Sequence, residues 1–257
     1  MNPLAAGFIA SLFAGLSTSI GALPVLLPFD PSERTQGVLL GIGGGMMLAA
    51  TSFSLILPGT DAAIALGYSG PIAAMVMVTG VLLGGAFLWG AHNLFPHEHF
   101  FKGPEGPEAQ NMKRIWLFVI AIALHNFPEG LAVGVGFGGG EQAGAVALAV
   151  GIGLQNIPEG LVVAIALRNI GYSPRYAFAI ASLTGLIEPI GGLFGAAVVT
   201  LAQTALPWAM GFAAGAMLFV IVDEIIPDID QKSFGQRGTV GLMGGFVTMM
   251  FLDIALG

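Results

Sequence analysis

The chain has no cysteine and very little charge: of its 257 residues only 15 are acidic and 8 basic. Without cysteine there is no disulfide framework, no cysteine-based zinc finger and no thiol nucleophile. Charged residues make up 9%, against about 25% in an ordinary soluble domain, too few to clothe a globular surface in water. A cytosolic enzyme, a nucleic-acid binder and a disordered scaffold are excluded together. The net charge of −7 argues against an anionic partner. What is abundant is apolar: 55% of the residues are hydrophobic, and the mean hydropathy is +0.86. The 40 glycines, about twice the usual share, suit membrane helices packed backbone to backbone through small residues. The composition therefore predicts an all-α integral membrane protein, a single domain over 1–257 embedded in a lipid bilayer.

A continuous apolar stretch of about 20 residues spans the hydrocarbon core as a helix. Eight such stretches stand out, roughly 3–28, 36–58, 69–94, 114–138, 142–167, 175–203, 207–227 and 238–256. They are continuously apolar and do not alternate with period two, so a closed β-barrel is excluded. Arg34, Lys102, Lys113, Arg114, Arg168, Arg175, Lys232 and Arg237 all fall in alternate connections. The excess of basic residues on the cytoplasmic side then puts those loops inside and both termini outside. The long polar segment at about 95–113 is a cytoplasmic loop whose Pro and Gly content reads as flexible. Its Pro96-His97-Glu98-His99 run offers His97 and His99 as transient metal contacts.

The chemistry lies inside the membrane. The fourth span carries His125-Asn126-Phe127-Pro128-Glu129-Gly130, and the fifth carries Gln155-Asn156-Ile157-Pro158-Glu159-Gly160. On consecutive, oppositely directed helices these repeats meet near mid-membrane. His125 and Glu129 share one helix face, as do Gln155 and Glu159, because i and i+4 align. One imidazole, two carboxylates and amide oxygens can thus converge on one point. Pro128 and Pro158 lack an N–H and crowd the carbonyl four residues earlier, which predicts kinked fourth and fifth helices, a common way to build transporter ion sites. Glu188 adds a third acid on span six. Ionised carboxylates at this depth cost several kcal/mol unless paired, and no span interior contains Lys or Arg, so a cation is required. Asp61 at the outer end of span two suits an entrance, and Asp223 and Glu224 at the inner end of span seven suit an exit. Asp253 near the outer end of span eight has no evident role.

These motifs resemble those of the ZIP (Zrt-, Irt-like protein) family of divalent metal transporters. Eight spans, outward termini and a histidine-containing third loop also match. The stretches Ser52-Phe53-Ser54-Leu55-Ile56-Leu57-Pro58-Gly59 and Pro96-His97-Glu98-His99 look closest to the family's bacterial GufA-like branch. The resemblance implies a binuclear site, with His125, Glu129, Gln155 and Glu159 around one metal. Asn126, Glu129, Asn156, Glu159 and Glu188 would surround a neighbouring one, the two glutamates bridging. Two departures matter: many members carry His at the place of Gln155, and some close relatives carry Asp at the place of Asn156.

The expected function is secondary transport of Zn²⁺, with Cd²⁺, Fe²⁺ or Mn²⁺ as further substrates, across the inner membrane into the cytoplasm. Imidazole with carboxylate and amide oxygens suits borderline to hard divalent ions. No Walker phosphate-binding loop is present, so ATP does not drive it directly, and no catalytic cofactor is called for. An intramembrane metalloprotease would need a His-Glu-x-x-His helix, which is lacking, so no enzyme is expected. A proton- or sodium-coupled carrier of another cation is the alternative. Glycine-rich faces would allow a homodimer.

Overall fold

The computed structural model describes residues 2–28, 31–94, 97–99, 103–105, 114–169, 171–230 and 235–256. Its helices are α1 (Pro3–Ala22), α2 (Glu33–Ala49), α3 (Leu57–Ala65), α4 (Gly70–Leu94), α5 (Arg114–Gly139) and α6 (Gln142–Asn169). They continue as α7 (Pro174–Gly185), α8 (Glu188–Leu201), α9 (Leu206–Val220), α10 (Ile226–Asp230) and α11 (Gly235–Leu256). Among the described residues, seven helical stretches are long and apolar enough to cross a membrane. These are Pro3–Leu26, Arg34–Ala65, Gly70–Leu94, Gln142–Asn169, Pro174–Leu201, Gln203–Ile225 and Gln236–Leu256. The α5 helix adds 26 residues of unbroken helix.

Helix starts follow local chemistry. Asn2 caps α1 by accepting the Leu4 N–H at 3.0 Å. Ser32 and Ser173 cap α2 and α7 through the Thr35 and Tyr176 N–H groups, each at 3.3 Å. Such side chains satisfy amides that the first turn leaves without partners. Gly140, at φ +86°, turns the chain from α5 into α6 in a conformation that only glycine adopts freely.

The π-helical turns lie in other spans than the two motif helices. Both α5 and α6 stay helical through Pro128 and Pro158. Their neighbours clamp them: a methyl group added at Gly130 would run into the Glu188 backbone, and one at Gly160 into the Thr18 backbone. Span two instead carries a π-helical segment, Ala50–Ile56, ahead of Pro58, and span seven another, Ile221–Ile225, ahead of Pro227. Widening the turn before a proline relieves the clash of its ring with the carbonyl four residues back. Span six is two helices, broken between Gly185 and Glu188, so that Glu188 opens α8. A carboxylate there faces the positive end of a helix dipole.

Glycine sets the packing. α5 runs parallel to α8 with Gly130, Gly134 and Gly138 against Glu188, Gly192 and Ala196. α1 lies across both α6 and α8, with Thr18 on Gly160 and Gly7 on Ala196, and its Gly15 meets Gly185 at the end of α7. These helices and α7 form one group. In the other, α2 lies along α11 through Gly41, Gly45 and Gly245, and α4 along α9 through Gly80, Gly84, Gly211 and Gly215. The glycine faces that the sequence offers to a homodimer are thus mostly spent inside the chain. Bulky apolar side chains such as Phe13, Met75, Leu82, Val240 and Phe251 point outward, as a lipid-facing surface requires.

The loop read as flexible contains an antiparallel pair, β1 (His97–His99) with β2 (Gly103–Glu105), His97 opposite Glu105. The His97 and His99 side chains lie outside the described residues, as do Lys102, Lys113 and Lys232.

Candidate metal site

The tight turn at Gly140 folds α5 and α6 into an antiparallel hairpin, which brings the two repeats together. His125, Asn126, Glu129, Gln155, Asn156 and Glu188 are all buried. The Gln155 Nε2 donates to Glu129 Oε1 at 2.6 Å, directly linking the repeats. His125, Glu129 and Glu159 line a common cavity with Gly43, Gly44 and Met47 of α2 and with Val220 and Ile225. Its volume is ≈ 20 Å³, room for about one water-sized particle. The outer wall comes from glycines, which leave the space that a side chain would fill.

His125 does not point its Nε2 at the motif carboxylates. It lies 2.8 Å from Glu224 Oε2 on the π-helical segment of span seven. The other Glu224 oxygen is 3.3 Å from His92 Nε2, and His92 Nδ1 is 3.3 Å from Asp223 Oδ2. Ligand-type atoms of His92, Asp223 and Glu224 all lie within 4.8 Å of one another. The π-helical register is what offers Asp223 and Glu224, neighbours in sequence, to the same imidazole. The expected pairing of Asp223 with Glu224 at the inner end therefore gains His92, which the sequence reading missed. Its signal was a histidine in the last turn of α4, inside the third apolar span.

Glu188 and Asn156 form a separate tie. Asn156 Nδ2 donates to Glu188 Oε1 at 2.7 Å and to the Ala14 carbonyl at 2.9 Å. Asn126 is buried with neither of its amide atoms hydrogen-bonded. On the opposite side of the site, Asp61 lines a cavity of ≈ 530 Å³ with Glu141, Asp253 and Met210. Asp253 accepts a hydrogen bond from the Ser54 hydroxyl, which gives this acid, unexplained by the sequence, a place on that wall.

A helical bundle that buries an imidazole, carboxylates and amides between apolar spans, with acids toward each end, is built as a membrane carrier of cations. The sequence matches the family model described as ZIP zinc transporter over residues 94–253. It is 48% identical to the zinc transporter GufA of Myxococcus xanthus, over 99% of this chain and 100% of that one. It is 47% identical to the zinc transporter ZIPB of Bordetella bronchiseptica, over 98% of this chain and 80% of that protein. To the human zinc transporter ZIP11 it is 32% identical, over 97% and 96% of the two chains. The chain belongs to the ZIP zinc transporter family.

Proposed function

We propose that the protein is a secondary transporter that carries divalent transition-metal ions, zinc foremost, across the inner membrane into the cytoplasm. The observation that carries this reading is the cavity for about one particle between His125, Glu129 and Glu159. The buried Glu129 and the partly buried Glu159 face the same small cavity and need a cation beside them, and among the described residues no Lys or Arg is buried. His125, Glu129, Gln155 and Glu159 hold the ion, Gln155 through its Oε1, a buried oxygen with no hydrogen bond. Borderline nitrogen and hard oxygen donors suit Zn²⁺, with Cd²⁺, Fe²⁺ and Mn²⁺ as competitors. Names that describe zinc transport in GufA, ZIPB and ZIP11 support the same substrate.

With α5 the helices make eight crossings, both termini outside. Arg34, Arg168, Arg175 and Arg237 support this direction, because they sit where α2, α7 and α11 begin and α6 ends. A cysteine at Gly139 should react with an impermeant thiol reagent from outside, and one at Gly103 only after permeabilisation. The reverse labelling would invert the topology. Ions gather in the cavity that holds Asp61, reach the buried site, and leave through Glu224 toward His92 and Asp223. Alternating access follows from sliding of one glycine-packed helix group against the other.

Uptake by proteoliposomes across a panel of divalent ions tests the proposal. Saturable Zn²⁺ uptake without ATP is expected, and uptake no faster than in protein-free vesicles would refute it. Gln155→His should sharpen the preference. A second imidazole one turn before Glu159 adds a nitrogen donor and favours Zn²⁺ over Mn²⁺ by about tenfold, the equivalent of about 1.4 kcal/mol. An unchanged Zn²⁺/Mn²⁺ uptake ratio would remove Gln155 from the site.

A further inference from the structure

We propose that Asn156 replaces a second metal ion in this chain: its amide, rather than a cation, holds Glu188, and the transport site takes one ion at a time. The inference rests on the transport reading above and specifies how many ions that site accepts. The resemblance to the family implies a second metal among Asn126, Glu129, Asn156, Glu159 and Glu188, and the structure uses two of these residues differently.

Asn156 Nδ2 faces two acceptors, the Ala14 carbonyl at 2.9 Å and Glu188 Oε1 at 2.7 Å. A carbonyl can only accept, an ionised carboxylate can only accept, and an amide nitrogen carries two hydrogens, one for each. The orientation of the side chain is thus dictated by its partners. All three groups are buried: Asn156 is 1% exposed and Glu188 0%. The bond to a carboxylate is charge-assisted and roughly twice as strong as a neutral one. It joins α6 to α8, and the Ala14 bond joins α6 to α1, so one amide fastens three helices.

A cation at the second position would compete with this amide for the same Glu188 oxygen. Asn156 Oδ1 and Glu188 Oε2 have no hydrogen bond, but an ion drawn to them would meet the amide hydrogens between them. Space gives the same answer. The cavity beside His125, Glu129 and Glu159 has room for about one particle. One divalent ion balances Glu129 and Glu159, and the neutral Asn156 amide holds Glu188 by a hydrogen bond without balancing its charge.

An aspartate at 156 could not serve in this way. Its two oxygens would face a carbonyl and a carboxylate with no amide hydrogen between them, an arrangement that a cation or a proton shared by the two carboxyls must hold together. Asn156→Asp should therefore create the second site. The test is Zn²⁺ bound per chain at equilibrium dialysis of purified protein, compared among wild type, Glu188→Gln, Asn156→Asp and the double variant. Ions held elsewhere cancel in the differences. Glu188→Gln should match wild type, Asn156→Asp should bind one more ion, and the double variant should lose that gain. A Glu188→Gln protein that binds one ion fewer than wild type, or an Asn156→Asp protein with no gain, would overturn the assignment. If Asn156→Asp fails to fold, the comparison of wild type with Glu188→Gln still decides. A wild-type count that Glu159→Ala leaves unchanged would instead count against the transport reading itself.

Discussion

Glu129→Ala and Glu159→Ala should each reduce Zn²⁺ uptake to that of protein-free vesicles, while the protein still inserts and purifies as a single species. Each change removes an anion from the same small cavity: Glu129 is fully buried, and Glu159, partly buried, lines the cavity beside it. Removing one partner of a buried ionic contact costs about 3–5 kcal/mol, more than about a hundredfold in affinity. The fold has little to lose, because a carboxylate between apolar helices is itself expensive. Glu159→Ala should therefore keep its melting temperature without metal and lose the stabilisation that zinc gives the wild type. Normal uptake by a Glu159→Ala protein would make the buried acids structural.

The largest expected effect on stability comes from a residue that touches no ion. Gly134 of α5 lies against the Gly192 backbone of α8, so any side chain there strikes main chain. Gly134→Leu must separate the two helices, since backbone cannot move aside as a flexible side chain does. Overpacking of a well-filled core costs about 1–3 kcal/mol, and more when the neighbour is rigid. The same separation would pull Glu188 from α6 and Glu129 from the cavity. Loss of a monodisperse species in detergent, or a melting temperature lowered by many degrees, is expected. Gly244→Leu is the control: nothing lies within 4 Å of a side chain added there, and stability should be unchanged. Equal behaviour of the two variants would mean that glycine contacts do not organise the bundle.

Properties that act along the chain were legible before the structure. Apolar length marked the spans, and the repeat Asn-x-Pro-Glu-Gly marked the helix pair that carries Glu129 and Glu159. Properties that depend on partners across the bundle were not. Pro58, Pro128, Pro158 and Pro227 look alike in sequence, yet only Pro58 and Pro227 follow π-helical turns. What packs against each helix also differs, since Gly130 and Gly160 bring the unbroken motif helices onto the backbones of Glu188 and Thr18. His92, near the end of the third span, had no assigned role, and the π-helical turn brings Asp223 and Glu224 to it. The break before Glu188 was hidden inside a stretch apolar enough to read as one helix. Asn156 looked like an oxygen ligand, and its partners, Ala14 and Glu188, make it a donor. Many of the glycines that the sequence leaves open as packing faces lie against neighbouring helices of the same chain.

The central claim is that the cargo ion rests beside Glu129 and Glu159 and not elsewhere in the bundle. Anomalous diffraction at the zinc edge, from zinc-soaked crystals of the wild-type protein, tests it most directly. A strong peak is expected within about 2.0–2.2 Å of carboxylate oxygens of Glu129 and Glu159 and about 2.0–2.1 Å of a His125 nitrogen, lost in Glu159→Ala crystals. A peak only among His92, Asp223 and Glu224, with none beside Glu129 and Glu159, would contradict it.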